Sequence, residues 1–396
     1  MACGRQRSIE PIVTRSSTFE LDAGSASQRS VHLAGLYSPV RCSGSRTQVR
    51  SLPVPLHRYF ICLGNGTPPI PWDLDDEAQL ARFDCVYFGR VFRAMERHAR
   101  AGALTVYMTW DLRELPSYGD DVVAVVLGDE NSRIPTYVGR VRAVFKCYGI
   151  RPFAGAHPLR DRTWLSVLIW LQGVRRRVRH IPDDVRMTLR RLSRRYVAPT
   201  VHIPLGYYNQ LDLPPTPFAE RTTSVFFAGS LERRPRSRLS PRHWIRMPKP
   251  RAREEMLAAL GAFRRRRPTE PVHVRLTSTF ASTTRADAEA YSRDLMNTRI
   301  CLVPRGASAE TFRFFEALRY GCVVVCERLP PTPFYAGSPA VVIDRWSGLP
   351  DVLTRLLDDR AGLQARHERS LEWWHERCSE EVVGAIMAAR IDAALG

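Results

Sequence analysis

Three residues that can hold an anion follow one apolar run in this chain. They are Arg305, Gly306 and Ser308, inside RICLVPRGASAETFRFFEALRYGCVVV from Arg299 to Val325. A guanidinium, exposed backbone amides and the positive end of a helix meeting at one loop favour a diphosphate. The spacing predicts a buried strand over 300–303, closed by Pro304. It then predicts a sharp loop with Gly306 at positive φ, and a helix capped by Ser308 and running to about Tyr320. Gly321 supplies a left-handed stop, and 322–326 reads as the next buried strand, with Cys322 and Cys326 as core. A second kind of chemistry is suggested by Asp129 and Glu130, just after the apolar run 122–127. Carboxylates beyond the carboxyl end of a buried strand are placed where sites occur in parallel sheets, so this pair is the first candidate for a general base. Asp111, after 105–110, is the second, and each of the three also suits a turn or a helix cap.

The elements that must position these groups alternate. Strands are expected at 59–63, 105–108 and 122–127, with helical spacing over 78–100. A second series follows, with strands at 224–230, 272–276, 300–303 and 340–343 and helices at 254–263, 286–296 and 349–358. Alternation of this kind means layered α/β domains with mainly parallel sheets. The expected division is a poorly ordered tail at 1–56, a Rossmann-like domain at 57–205 and a second at 206–366. A final helix at 367–396 is placed to fold back on the first domain. The Arg- and Pro-rich stretch 232–251 reads as a long loop.

With 396 residues, 44% of them apolar, the chain can build two cores of ordinary size. No apolar run reaches the ~20 residues a bilayer needs, and the start lacks the pattern of a signal peptide. Nine cysteines with no CxxC pair suit reduced thiols, so a cytoplasmic setting is expected. The formal charge is +19, yet only Lys146 and Lys249 among the 59 basic residues are lysine. That bias also fits GC-rich codon usage. The arginines at 175–177, 190–191 and 194–195 flank the apolar run 164–171. This segment reads either as a helix lying on an anionic membrane surface or, more simply, as a domain-packing helix with a solvated end. Asp73 and Asp75 have Asp-x-Asp spacing but precede a helical run, where acids complement the dipole. His98, His157, His180 and His202 lack metal-ligand spacing, and no phosphate-loop, dinucleotide or nucleophile-elbow motif is present.

The words SVFFAGS (224–230), CLVPRG with FRFFEAL (301–318) and GCVVV (321–325) resemble, in the same order, the C-terminal half of exostosin-like glycosyltransferases. The resemblance covers about 222–344, with weaker similarity at 127–130, 144–148 and 203–207. It implies a GT-B fold, in which two Rossmann-like α/β domains face a central cleft. The C-terminal domain would hold a nucleotide-sugar, and the N-terminal one would present a glycan or lipid-linked acceptor. It implies that no metal or other cofactor is needed. Carried over, Arg305, Gly306 and Ser308 meet the diphosphate, and Glu316 accepts from the ribose hydroxyls. Arg313 reaches the phosphate or sugar unless it merely pairs with Glu316, while Phe227, Gly229 and Ser230 edge the pocket. Many retaining enzymes of this fold show two glutamates seven residues apart. Here the position before Glu316 is Ser308, which favours inversion with Asp129 or Glu130 as the base. The rival is a basic protein binding nucleic acid or an anionic membrane on an inactive scaffold, and a sugar-nucleotide epimerase is the third reading. The resemblance favours the transferase, with a membrane surface rather than nucleic acid as any further contact.

Overall fold

Runs of Val, Ile, Phe and Cys too short for helices form two mainly parallel sheets whose central strands are buried on both faces. The computed structural model describes residues 57–64, 66–76, 86–208, 214–231, 248–277 and 285–394. The tail at 1–56, the start of the helix expected at 78–100 and most of the 232–251 loop lie outside the described residues. The strands are β1 Arg58–Cys62, β2 Ile70–Pro71, β3 Thr105–Thr109, β4 Gly119–Val126, β5 Val141–Lys146 and β6 Thr200–His202. They continue with β7 Thr223–Ser230, β8 Val272–Thr277, β9 Thr298–Val303, β10 Val323–Cys326 and β11 Val341–Val342. The helices are α1 Val86–His98, α2 Pro158–Asp161, α3 Trp164–Leu192 and α4 Pro248–Arg266. After them come α5 Arg285–Met296, α6 Phe312–Arg319, α7 Leu349–Asp358, α8 Arg360–Arg377 and α9 Glu380–Ala393.

The first sheet has the order β2-β1-β3-β4-β5-β6, and only the two-residue β2 runs antiparallel. The second has the order β11-β10-β9-β7-β8 and is parallel throughout. The chain therefore goes outward from β7 to β8, then crosses back to β9 on the other side. That reversal leaves a crevice at the carboxyl ends of β7 and β9, the switch point at which such sheets bind ligands. Two layered α/β sheets of this kind are what the GT-B expectation called for.

Alternate residues of β7 separate two cores. Phe226 and Ala228 face one cluster, and Val225 and Phe227 face another that includes Met256 and Phe263 of α4. Each such side chain, fully buried, contributes about 1.5–3 kcal/mol. The first cluster is continuous across both sheets, reaching from Phe145 through Trp374 to Val324. Two helical elements splice the lobes. Leu165 and Ile169 of α3 lie in the core of the second sheet, whereas Met187 near its other end lies in that of the first. The C-terminal helices cross the other way: α8 supplies the His367 ring, against the Gly321 carbonyl at 2.6 Å. α9 lies on α1, where a Cβ at Gly384 would be 2.5 Å from that of Ala94. The boundary expected at 366 falls inside α8.

The segment 164–171 is the start of the 29-residue α3, opened by a Thr163–Ser166 capping box. It packs between the lobes, as the simpler reading of its sequence has it. Cys322 and Cys326 are buried, and the six cysteines among the described residues are free thiols. Among the described residues no helix is long and apolar enough to cross a membrane.

Candidate functional site

The switch-point crevice is flanked by the loop after β7, which carries Gly229 and Ser230, and by the loop after β9, which carries Arg305 to Ser308. The second loop is longer than the sequence suggests. α6 starts at Phe312 with Thr311 in the N-cap position, so Ser308, which is buried, does not cap it. Gly306 is not among the residues with positive φ, whereas Gly321 takes φ +71 and ends α6 as expected.

The extra loop residues are spent on contacts with the other lobe. Gln172 Nε2 and Arg176 of α3 both donate to the Ala307 carbonyl, at 3.3 and 2.7 Å. The Arg305 guanidinium donates to Gln172 Oε1 at 3.2 Å, and its backbone N–H to Glu327 Oε2 at 2.8 Å. Glu327, past the end of β10, also accepts from Trp346 Nε1 at 3.2 Å. Glu310 reaches His202 Nε2 at 3.1 Å, on the last residue of β6 in the first sheet. Arg176 and Arg305 are both buried. Burial makes each cation harder to keep, and beyond that Arg176 repels the proton of Arg305 while Glu327 holds it. Among the described residues, Nε of Arg176, Arg305 and Arg313 and the Thr311 hydroxyl are buried with no hydrogen-bond partner. The crevice thus holds concentrated positive charge and unused donors beside a helix N-terminus, an arrangement suited to an anion.

Arg313 and Glu316 lie on α6, the helix that follows this loop. The Arg313 guanidinium lies 5.5 Å from the centre of the Phe227 ring, and a Cβ at Gly229 would sit 3.4 Å from its nitrogens. Phe227 itself is core, and the expectation that it edges a pocket is corrected to that of a support for Arg313. Glu316 is 5% exposed. Its two oxygens accept from the Tyr208 backbone N–H at 3.0 Å and the Tyr291 hydroxyl at 2.7 Å. Burial pushes its carboxyl above the usual range, against the pull of Tyr291 and Arg313. Each oxygen keeps a second lone pair for another donor. Ser230 is held through its carbonyl and hydroxyl by Arg253 of α4.

In the first lobe the two neighbouring acids have different fates. The Asp129 carboxylate accepts from the backbone N–H groups of Asn131 and Arg133 and lies 3.1 Å from Lys146 Nζ. Lys146 is fully buried at the end of β5 and also donates to the carbonyls of Cys147 and Gly149, at 3.2 and 2.9 Å. Asp129 is therefore consumed in shaping its own loop, and the expectation of a base at this pair narrows to Glu130. The Glu130 carboxyl is pushed up by burial, while Arg176 and Lys249 pull it down. Those two cations belong to α3 and to the first turn of α4.

Asp111 lines a cavity of about 800 Å³ together with Gly64, Trp110, Glu114, Arg133 and Thr136. Trp110 packs over Gly128, where a Cβ would fall 2.3 Å from the indole. The Gly128–Glu130 segment therefore begins directly behind the Trp110 wall of this cavity. Gln172, Arg176 and Lys146 were not legible as site residues. One signal existed for Arg176, because it falls on the same 3.6-residue stripe as Leu165, Ile169 and Gly173, which makes it a charge on a buried face.

No family model matches the chain, and no curated protein matches it. Solved structures similar to it include a GtfA/B complex, at 12% identity and TM-score 0.36 over 73% of this chain and 57% of that one. TarM is similar at 10% identity and TM-score 0.41, over 77% of this chain and 58% of that one. A sucrose-phosphate synthase from Thermosynechococcus elongatus is similar at 13% identity and TM-score 0.39, over 77% and 91%. The chain spans less than two thirds of the length of the first two.

Proposed function

We propose that the chain is a glycosyltransferase, transferring a sugar from a nucleoside diphosphate to a hydroxyl of a glycan or lipid-linked acceptor with inversion. The observation that carries this reading is the pair of buried arginines, Arg176 and Arg305, at the switch point, where their mutual repulsion is relieved by an anion. On this reading the diphosphate charge is offset by these two side chains, Lys249 and the α6 dipole rather than by a metal ion. Gly306 and Ser308 offer backbone donors, Arg313 turns toward the sugar or phosphate, and Glu316 takes the ribose hydroxyls on its remaining lone pairs. The acceptor occupies the cavity beside Trp110, whose indole offers a face to a sugar ring and whose Asp111 and Glu114 accept from hydroxyls. Glu130 removes the proton of the attacking hydroxyl. That oxygen bonds the anomeric carbon as the bond from this carbon to the phosphate oxygen breaks, and the electron pair leaves with the nucleoside diphosphate.

The test is a thermal-shift panel of UDP-, GDP-, ADP- and dTDP-sugars, with and without Mg²⁺, on the chain and on Arg305→Met. One nucleotide at about a hundredfold excess over its Kd should add about 2.7 kcal/mol to stability. The gain should not require Mg²⁺ and should disappear in the variant. If no nucleotide of the panel shifts the wild-type transition, or if Arg305→Met responds as the wild type does, the reading fails.

A further inference from the structure

α3 carries two apolar stripes. One, through Leu165, Ile169 and Met187, is buried between the lobes. The other is exposed. Trp164, Leu171, Val178, Val185 and Leu192 recur every seven residues, with relative exposures from 48% at Leu171 to 75% at Leu192. Val167, Val174, Ile181 and Thr188 fall three residues after each of the first four. At 100° per residue the second stripe lies on the side of the helix opposite the first. A 3-4 repeat sustained over four heptads and apolar at every position but Thr188 has the pattern of a coiled-coil seam, and within the chain this seam faces outward except at half-buried Val167.

We infer that the exposed face of α3 pairs with the same face of a second copy, antiparallel, about a two-fold axis between Arg179 and His180. A two-fold pairing is self-complementary, which this helix satisfies in one register. Val178 meets the partner's Ile181, Val174 meets the partner's Val185, and Val167 meets the partner's Leu192. The row beside the seam is Trp170, Arg177, Asp184 and Arg191. In the same register Arg177 meets the partner's Asp184, and Trp170 meets the partner's Arg191 as a cation over an indole, each contact occurring twice. Asp184 also lies 3.2 Å from His180 Nδ1, with its side chain 56% exposed. Pro182, which α3 accommodates without a break, stands opposite the aliphatic stem of the partner's Arg175. Asp184 is what favours a second copy over an anionic lipid surface. It interrupts the arginine row at the place where the copy supplies a cation and a bilayer would supply repulsion.

Sedimentation velocity of the full chain at micromolar concentration should give a species of twice 45.1 kDa. Added salt should strengthen it, since the net charge of +19 opposes self-association. Ile181→Asp should yield a monomer that still unfolds in one cooperative transition, at a temperature no longer dependent on protein concentration, because Ile181 is exposed within the chain. Arg177→Asp should raise the dissociation constant about tenfold or more, some 1.4 kcal/mol, and Arg177→Asp combined with Asp184→Arg should restore it. A monomeric wild type, a dimer indifferent to Ile181→Asp, or a charge swap without recovery would each overturn the proposal. So would a monomer that binds phosphatidylserine vesicles and loses them on Ile181→Asp.

Discussion

Replacing Arg176 by methionine should lower nucleotide affinity far more than it changes stability. The substitution keeps most of the side-chain volume and removes the charge. If Arg176 meets the diphosphate, its loss removes a charge-assisted hydrogen bond of about 1.5–3 kcal/mol, so Kd for the nucleotide rises about 10- to 150-fold. In the unliganded protein two effects compete. The bond from Arg176 to the Ala307 carbonyl is lost at about 1 kcal/mol, but Gln172 Nε2 still donates to that carbonyl at 3.3 Å. Against this, the desolvation of a cation that repels Arg305 is relieved, while half-buried Glu130 loses the cation that most favours its charged form. These opposing effects should leave net stability changed by less than about 2 kcal/mol, read by urea unfolding without ligand, with affinity read by calorimetry. A third reading follows from Glu130. Its carboxyl is already pushed up by burial, and Arg176 is the largest influence pulling it down. In the variant it should rise further. A base loses activity as pH falls through its own pKa, so the acidic limb of the rate profile should move to higher pH. An unliganded protein weakened by more than about 2 kcal/mol, with nucleotide affinity and the acidic limb unchanged, would show that Arg176 is structural and would refute the argument.

Two further outcomes test the scaffold. Gly206→Ala should destabilise by about 3 kcal/mol or more in denaturant unfolding. Gly206 has φ +71 and its Cβ would lie 2.1 Å from the Tyr87 ring, which is anchored through its hydroxyl to the Cys378 carbonyl at 2.7 Å; wild-type stability in the variant would contradict this. Asp129→Asn strands the Lys146 ammonium and should cost about 3–5 kcal/mol, whereas Asp129→Leu with Lys146→Met should recover much of it. Equal losses in single and double variants would show that the pair is not the unit that holds the loop.

The parallel strands of the second lobe were legible because a strand covered on both faces is a continuous apolar run, and 224–230, 300–303 and 322–326 are such runs. The start of α6 was not. Ser308 and Thr311 are equally good capping residues in isolation, and the choice between them is made by Gln172 and Arg176, which draw the Ala307 carbonyl toward α3, and by His202, which takes Glu310. The two adjacent acids were indistinguishable for a similar reason. Only the position of Lys146, seventeen residues further on, ties Asp129 down and leaves Glu130 as the acid that Arg176 and Lys249 act on.

By itself the sequence determined the order of strands and helices, the glycine stop at Gly321 and the loop at which an anion could be held, because periodicity, turn chemistry and helix ends are local properties. The tertiary structure alone decided which arginine is buried, which acid is spent on its own loop and which face of α3 is left uncovered. Those outcomes depend on burial, and burial is set by neighbours that are distant along the chain and close in space.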